Sequence, residues 1–337
     1  MKVDLKTRLL NALKKAETHI SGEKLSQELG VSRAAVWKQV EELRRQGYVI
    51  DAVPHRGYLL RKTPDLLLPG EIKEKLQTSF CGKKIYYYPS IDSTNRVADV
   101  LGAEGEEEGT LVVAEEQTKG RGRRGREWYS PAGPGLWMSL LFYPRALMPK
   151  EVAPFTAAAA VAAARSLREE TGLPAVIKWP NDLFINGRKA GGLLAEIKGN
   201  EEEVHHLVLG VGLNVNHRES DFPEELKDTA TSLRREKERV FHRVMLCCSL
   251  LQHLEDCYLL FLDKGFHPFR TPWKELSITP GKRVRVERGS EQLEGIARDI
   301  DEQGALLLED KSGKVHRVTG GEITSQEGIF NENQKGE

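Results

Sequence analysis

The sequence predicts an α/β (α+β) chain in three parts. These are a winged helix-turn-helix over residues 1–63, a central mixed-sheet domain over 71–270 and a small SH3-like β-barrel over 275–326. Three observations lead there. Leucines recur at helical spacing through the first part. The middle alternates strand-like runs with two long helical stretches. The last part is a series of short alternating strands separated by glycine turns.

In the first part Leu5, Leu9, Leu10 and Leu13 mark one helix, and Leu25 and Leu29 a second that Gly30 closes. Ser32 is a natural N-cap for a third helix over Arg33–Gln46, with Ala35, Val36, Val40 and Leu43 as its buried stripe and Gly47 as its stop. Two helices joined by a short glycine-containing turn read as a helix-turn-helix. Tyr48–Val53 and Gly57–Leu60 follow as a hairpin wing around Pro54, His55 and Arg56. Over residues 1–62, thirteen Lys and Arg face seven Asp and Glu, a net charge of about +6 in a chain whose fifty basic and fifty acidic residues cancel overall. A basic helix and wing suit phosphate contacts along a duplex. Ser32, Arg33, Lys38, Arg44, Arg45 and Arg56 are the side chains expected near DNA; a basic face that docks a protein is the alternative.

A Pro- and Leu-rich linker, Thr63–Gly70, leads into the central part. Strands are expected at Ile85–Tyr88, Thr110–Glu116, Leu136–Tyr143, Ala175–Trp179, Asp182–Ile185, Lys189–Glu196 and His205–Val215. Asp92 or Ser93 caps a helix through Val100. An alanine-rich helix over Glu151–Glu170 ends at Thr171-Gly172, and another covers about Val240–Leu262. Asn186-Gly187 signals a type I′ hairpin. In the last part the strands are Arg283–Glu287, Glu291–Ile300, Ala305–Glu309 and Val315–Thr319, and the tail after Gly328 reads as disordered.

Composition narrows the class. With 39% hydrophobic and 30% charged residues the chain is of ordinary globular type. No unbroken apolar run reaches about 18 residues, and the start lacks the apolar core of a secretory signal, so a cytoplasmic location without a membrane partner is expected. Cys81, Cys247, Cys248 and Cys257 lack zinc spacing and read as reduced thiols packed in a helix; no protein-only metal site is expected.

The densest chemical signal is Gly120-Arg121-Gly122-Arg123-Arg124-Gly125-Arg126. Its letters satisfy the dinucleotide fingerprint, but that fingerprint must open a helix. The segment from Glu127 to Gly135, with Pro131 and Pro134, cannot be one. What remains is a loop whose glycines allow close backbone approach and whose arginines bind phosphate oxygens. It should stay mobile until an anion neutralises it, and Trp128 offers an aromatic face beside it. The alternative is a solvated basic loop or a second nucleic-acid contact. Asp92-Ser93-Thr94-Asn95, Lys178-Trp179-Pro180-Asn181-Asp182, Arg188-Lys189-Ala190-Gly191-Gly192 and Gly210-Val211-Gly212-Leu213-Asn214 add polar groups and glycines that suit a pocket with a polyanion-binding rim.

DSTN, QTKGRGRRGREW, KWPNDL, GRKAGGLLAE and GVGLNV, in this order and spacing, resemble the biotin protein ligases. With the winged helix and QGALLLE at Gln303–Glu309, the chain is similar to the bifunctional type that also represses the biotin operon. The resemblance covers about residues 5–325 and implies a class II synthetase-like central fold. It also implies biotin and ATP as substrates, with Mg²⁺ accompanying the nucleotide. Partners would be a biotin carboxyl carrier protein, operator DNA of biotin genes and a second copy of the chain, recruited when biotinyl-AMP forms. Carried over residue by residue, Ser93, Thr94, Asn95, Gln117, Arg121, Gly122, Arg123, Lys189 and Gly192 would hold biotin. Arg123, Arg126, Trp128, Lys189 and Asn214 would hold the nucleotide. Lys189 and Arg123 would stabilise charge at the reacting phosphate, and Asp182 would orient or deprotonate the accepting lysine. The stretch His217–Arg239 matches loosely. Other functions open on the same residues are a lipoate or octanoyl transferase, and a ligand-sensing repressor without ligase activity.

Overall fold

The computed structural model describes residues 5–145, 147–288 and 291–326. The tail after Gly328 lies outside the described residues. The chain forms two compact units, Met1–Leu66 and Leu67–Glu337.

The first unit holds α1 (Leu5–Lys15), α2 (Gly22–Leu29), α3 (Arg33–Arg45) and the antiparallel pair β1 (Val49–Val53) and β2 (Gly57–Lys62). Ser21 Oγ accepts from Lys24 N at 3.1 Å, and Ser32 Oγ from Ala35 N at 3.2 Å, so both helices of the turn start on serine caps. Gly30 ends α2 in the left-handed conformation. Leu9, Leu13, Leu25, Val36, Val40 and Leu43 form the core, whereas Ala35 is only half-buried at its edge. Ile20 pairs with Tyr58 just past the hairpin turn, where a Cβ on Gly57 would lie 2.1 Å from the Ile20 carbonyl oxygen. That contact requires glycine.

The second unit begins earlier than the expected linker allows. Leu67 is buried, its N–H donating to Glu115 at 2.8 Å, and α4 (Pro69–Lys75) starts on proline. Then come β3 (Ile85–Tyr88), α5 (Thr94–Ala103), β4 (Leu111–Ala114), β5 (Gly135–Phe142), α6 (Pro149–Val152), α7 (Phe155–Thr171), β6 (Val176–Lys178), β7 (Asp182–Ile185), β8 (Arg188–Gly199), β9 (Val204–Asn214), α8 (Leu233–Lys237), α9 (Arg243–Lys264) and α10 (His267–Leu276). Seven strands make one mixed sheet in the order β3-β4-β5-β9-β8-β7-β6; β3 and β4 are parallel and the other neighbours antiparallel. Asn186 and Gly187 both take positive φ between β7 and β8, as a type I′ turn demands.

β5 is buried along its whole length because both faces are covered. On one side α7 and α9 pack; the alanines at 157–164 let α7 lie close to the sheet and to its neighbour helix. On the other side α5 covers Val112, Leu141 and Val208 with Ala98. α9 is long and apolar enough to cross a membrane by length and composition, though charged residues interrupt its apolar run; its buried side, from Leu246 to Phe261, belongs to the core. All four cysteines are buried free thiols, three of them in α9, while Cys81 sits in a turn before β3 rather than in a helix.

After α10, which runs through residues 271–274 without a break, β10 (Arg283–Arg288), β11 (Glu291–Ile300), β12 (Leu306–Glu309), β13 (Val315–Val318) and β14 (Glu322–Gln326) form an antiparallel sheet. Its order is β13-β12-β11-β10-β14. Strand β14 extends it beyond the four strands expected. No pairing joins β13 to β14 among the described residues, so the sheet is not closed into a barrel.

Candidate functional site

One cleft gathers residues from all five of the motifs. It is lined by the start of α5, Gln117, the arginine loop, Trp128, the β6–β7 bend, β8, β9 and the approach to β14. Ser93, Thr94 and Asn95 are all buried there. Neither Ser93 nor Asp92 caps α5 through its side chain. Ser93 makes no such bond, and Asp92 instead pairs with Arg96 one turn on. Thr94 is fixed through N and Oγ1 to Gln117 Oε1 at 2.9 and 3.0 Å, and Gln117 Nε2 donates to Ser130 at 3.0 Å. Ser139 Oγ lies 2.8 Å from Thr94 Oγ1 and 2.7 Å from Asn95 Oδ1. Asn95 Nδ2 donates to Glu196 at 2.7 Å. This chain of polar groups on the sheet holds its donors and acceptors in fixed directions.

The arginine loop is not a helix opening, as its context required, but neither is it an unpaired loop. Arg121 bridges Glu127 in backbone pairing, and Gly122 N donates to Arg126 O at 2.8 Å. A short 3₁₀ turn at Arg123–Gly125 contains Arg124 at φ 56°, a left-handed conformation costly for a side chain. Carboxylates already meet part of the charge: Arg121 lies 3.6 Å from Glu196, and Arg126 pairs with Glu322. Arg123 donates to the Gly321 carbonyl at 3.1 Å, and burial lowers its pKa from the free value.

Trp128 lies against β9 where there is no side chain to obstruct it: a Cβ on Gly212 would sit 2.5 Å from its indole nitrogen. Likewise a Cβ on Gly210 would sit 2.0 Å from Asn95 Oδ1. These two glycines, on one face of β9, thus admit side chains of the cleft rather than the ligand itself. The buried Trp128 Nε1 has no hydrogen-bond partner among the described residues, leaving a donor for an acceptor brought by a ligand.

Lys189 Nζ lies 2.7 Å from Asp182 Oδ1 and 5.2 Å from the Trp128 ring centre. β7 and β8 set this pair, and the backbone of Lys189 is clamped by Thr229 O and Thr231 N, both at 2.8 Å. The stretch His217–Arg239 therefore supports Lys189 from behind. Lys178, buried beside the same carboxylate, has its pKa lowered by burial and by the Lys189 charge. Among the described residues no group of three or more His, Cys, Asp or Glu is placed to hold a metal ion.

The cleft thus brings together Ser93, Thr94, Asn95, Gln117, Arg121, Gly122, Arg123, Arg126, Trp128, Asp182, Lys189 and Gly192. Asn214 is not among its walls: it is buried, and its Nδ2 donates to Thr231 O at 3.0 Å, tethering the stretch behind Lys189. Of the residues expected at DNA, Lys38 and Arg56 are exposed, Ser32 is taken as a helix cap, and Arg33 and Arg45 lie 3.7 and 3.1 Å from Glu23 and Glu42. Arg44 is turned inward, donating to Ile50 O at 3.1 Å and to Glu41 at 2.8 Å. Lys178, Asn181, Gly321 and Glu322 line the cleft without having been singled out as ligand contacts. For Lys178 and Asn181 the KWPND motif was the available signal; Gly321 and Glu322 have no comparable one.

Residues 87–214 match the biotin/lipoate A/B protein ligase family, 6–59 an HTH domain and 279–324 the biotin protein ligase C-terminal domain. The chain is 41% identical over 295 residues to the bifunctional ligase/repressor BirA of Bacillus subtilis (strain 168), covering 87% of this chain and 90% of that one. To its namesake in Escherichia coli (strain K12) it is 34% identical over 318 residues, 94% of this chain and 96% of that one. Among solved structures, the biotin protein ligase from Aquifex aeolicus in complex with biotin and ATP superimposes with a TM-score of 0.62 at 30% identity, over 72% of this chain and 98% of that one. With relatives this similar along nearly their full length, the chain belongs to the biotin protein ligase family.

Proposed function

We propose that the protein is a bifunctional biotin protein ligase and repressor. It activates biotin with ATP, transfers the biotinyl group to a lysine of a biotin carboxyl carrier protein, and represses biotin-synthesis genes by binding operator DNA. The observation that carries this reading is the convergence of Lys189, Asp182, Arg123 and Trp128 on one cleft with the polar chain Asn95–Ser139–Thr94–Gln117. Work is divided among 1–63 for DNA, 71–270 for catalysis and 275–326 as a C-terminal module, with α10 leading from one to the next. The central fold is read as class II synthetase-like, and the last sheet as an SH3-like barrel left open between β13 and β14.

In the first step a carboxylate oxygen of biotin attacks the α-phosphorus of ATP and pyrophosphate leaves. Ser93, Thr94, Asn95, Gln117, Arg121, Gly122 and Gly192 hold biotin, whose ureido group needs paired donors and acceptors. Arg123, Arg126 and Trp128 hold the nucleotide, and Asn214 acts at one remove by bracing the segment behind Lys189. Lys189 and Arg123 offset the negative charge that gathers on the α-phosphate. Mg²⁺ accompanying the triphosphate would neutralise the leaving pyrophosphate, while Lys189 and Arg123 act on the α-phosphate. In the second step the acceptor amine attacks the acyl carbon, AMP leaves and the amine loses a proton. Asp182, hydrogen-bonded to Lys189, fixes that cation and faces the place where the amine must come. The mixed anhydride hydrolyses unless water is kept out, which the loop and Trp128 do.

Binding of biotinyl-AMP favours a homodimer, and the dimer binds a two-fold operator. Ligase and repressor act in the cytoplasm, where carboxylases and DNA are found. The test is to incubate the protein with ATP, Mg²⁺, a carrier domain and either biotin or lipoate. One biotinyl group on one lysine is expected; transfer of lipoate instead would identify a lipoate-type transferase, and transfer of neither a repressor without ligase activity.

A further inference from the structure

Trp37 is the one feature of the first unit that neither its core nor its charge accounts for. Among that unit's described residues the exposed large apolar side chains are Trp37, Val49 and Val53, and Trp37 at 58% exposure is the most open. It stands on the flank of α3, about a quarter turn from the stripe of Val36, Val40 and Leu43, with Arg33, Ala34 and Glu41 one helical turn away and exposed Lys38 next to it. An indole left in water on a helix otherwise lined with charge forfeits burial that a core position would provide, and its open ring is available to a partner.

We infer that Trp37 reads a thymine of the operator, its ring resting on the thymine 5-methyl group in the major groove. The inference rests on the DNA-binding part of the proposed function. Three observations select duplex DNA as the occupant. Trp37 lies in the first half of the second helix of a helix-turn-helix, the part of that motif that meets base edges. Arg33 and Lys38 lie near it alongside a single acid, Glu41, and the segment carries about +6, which opposes docking on a basic copy of itself and favours a phosphate-lined groove. Small Ala34, one turn before it, leaves the ring room to lie flat against the groove floor. In the major groove the thymine methyl is the apolar mark that distinguishes one base pair from the other three, and apolar side chains read it. Lys38 and Arg56 hold the backbone on either side without sensing sequence.

The test uses the full chain with biotin and ATP, and a duplex recovered from a randomised pool by binding to that same protein. Each thymine is then replaced singly by uracil, which removes only the methyl group. The wild type should lose roughly fourfold in affinity at one thymine per half-site, the worth of one buried methyl. Trp37→Ala should bind thymine and uracil duplexes equally, and the parent duplex about tenfold more weakly. Its salt dependence should stay that of the wild type, whereas Lys38→Ala should flatten it. Trp37→Phe, which keeps an apolar ring, should keep the uracil effect. Because Trp37 is exposed and does not line the cleft, biotin-dependent pyrophosphate exchange should be unchanged in all three variants, and unchanged far-UV circular dichroism and thermal unfolding of the full chain show that the first unit still folds. An uracil effect that persists in Trp37→Ala, or no uracil-sensitive thymine at all, overturns the inference while leaving DNA binding in place. A pool that yields no enriched sequence overturns the DNA-binding reading and the inference with it.

Discussion

At the scale of single residues the cleft works by fixing a few side chains before any ligand arrives. Lys189 is held on three sides, by Asp182, by the Trp128 ring and by the backbone of Thr229 and Thr231, so little remains to be ordered when phosphate binds. Asp182→Asn should therefore slow adenylate formation about tenfold as well as transfer from preformed biotinyl-AMP, both measured in single turnover. A normal rate in both steps would remove Asp182 from the mechanism. Gly212 is the complementary case. A methyl group there meets the Trp128 indole at 2.5 Å, so Gly212→Ala should raise the KM for ATP about tenfold while circular dichroism stays unchanged. An unaltered KM would show that Trp128 does not hold the nucleotide. Much of this site was legible in the sequence, because Thr94, Gln117, Arg123 and Lys189 sit in compact motifs whose glycines and prolines mark bends. Asn214 was less legible: the motif puts it at the end of β9, but its amide donates to Thr231 O, a contact with the following segment that no local pattern reveals.

At the scale of elements, buried charges fasten strands and helices to each other. Arg243 at the start of α9 lies 2.8 Å from Glu115 at the end of β4, and both are almost wholly buried. Arg243 also donates to Gly135 O at 2.9 Å, and Glu115 accepts from Leu67 N, so one ion pair joins β4, β5, α9 and the entry to the second unit. Removing one partner leaves the other charge buried without its counter-ion: Glu115→Ala or Arg243→Ala should cost about 3–5 kcal/mol in urea unfolding. A loss near zero would mean that water reaches the pair. His217, stacked on Phe222 and edge-on to Trp137, is fully buried, and burial pushes its pKa down to about 4 from 6.5. Unfolding restores the ordinary affinity for a proton, so the unfolded state takes one up between pH 6.5 and 4 while the native state stays neutral. Stability should fall by about 3 kcal/mol across that window and level off below it. His217→Gln should remove that part of the slope; an unchanged slope would assign it elsewhere. Long elements such as α7 and α9 were readable from periodicity and the Asn186-Gly187 turn from its chemistry. α4, α8 and β14 were not, because short elements carry too few periods and owe their existence to tertiary partners.

At the scale of the whole molecule, two properties are joined in one chain: a charge-neutral protein with a basic first segment, and a cleft whose loop is completed by distant residues. Arg126 meets Glu322 across 196 positions of sequence, a contact no motif could announce, since neither partner has meaning without the docked sheet. The separateness of the first unit, by contrast, shows in its basic composition. If loop and adenylate complete a dimer surface, biotin plus ATP should shift the protein from monomer to dimer in sedimentation velocity, and biotin alone should shift it less. Self-association indifferent to both ligands would uncouple ligation from repression. Operator affinity should fall steeply with salt, as phosphate contacts by Lys38 and Arg56 require. The most direct measurement is ATP–pyrophosphate exchange by the purified chain. Exchange that needs biotin and Mg²⁺, is not supported by lipoate, and drops at least a hundredfold in Lys189→Ala is expected. Exchange without biotin, or exchange undiminished in Lys189→Ala, would contradict the assignment of this cleft.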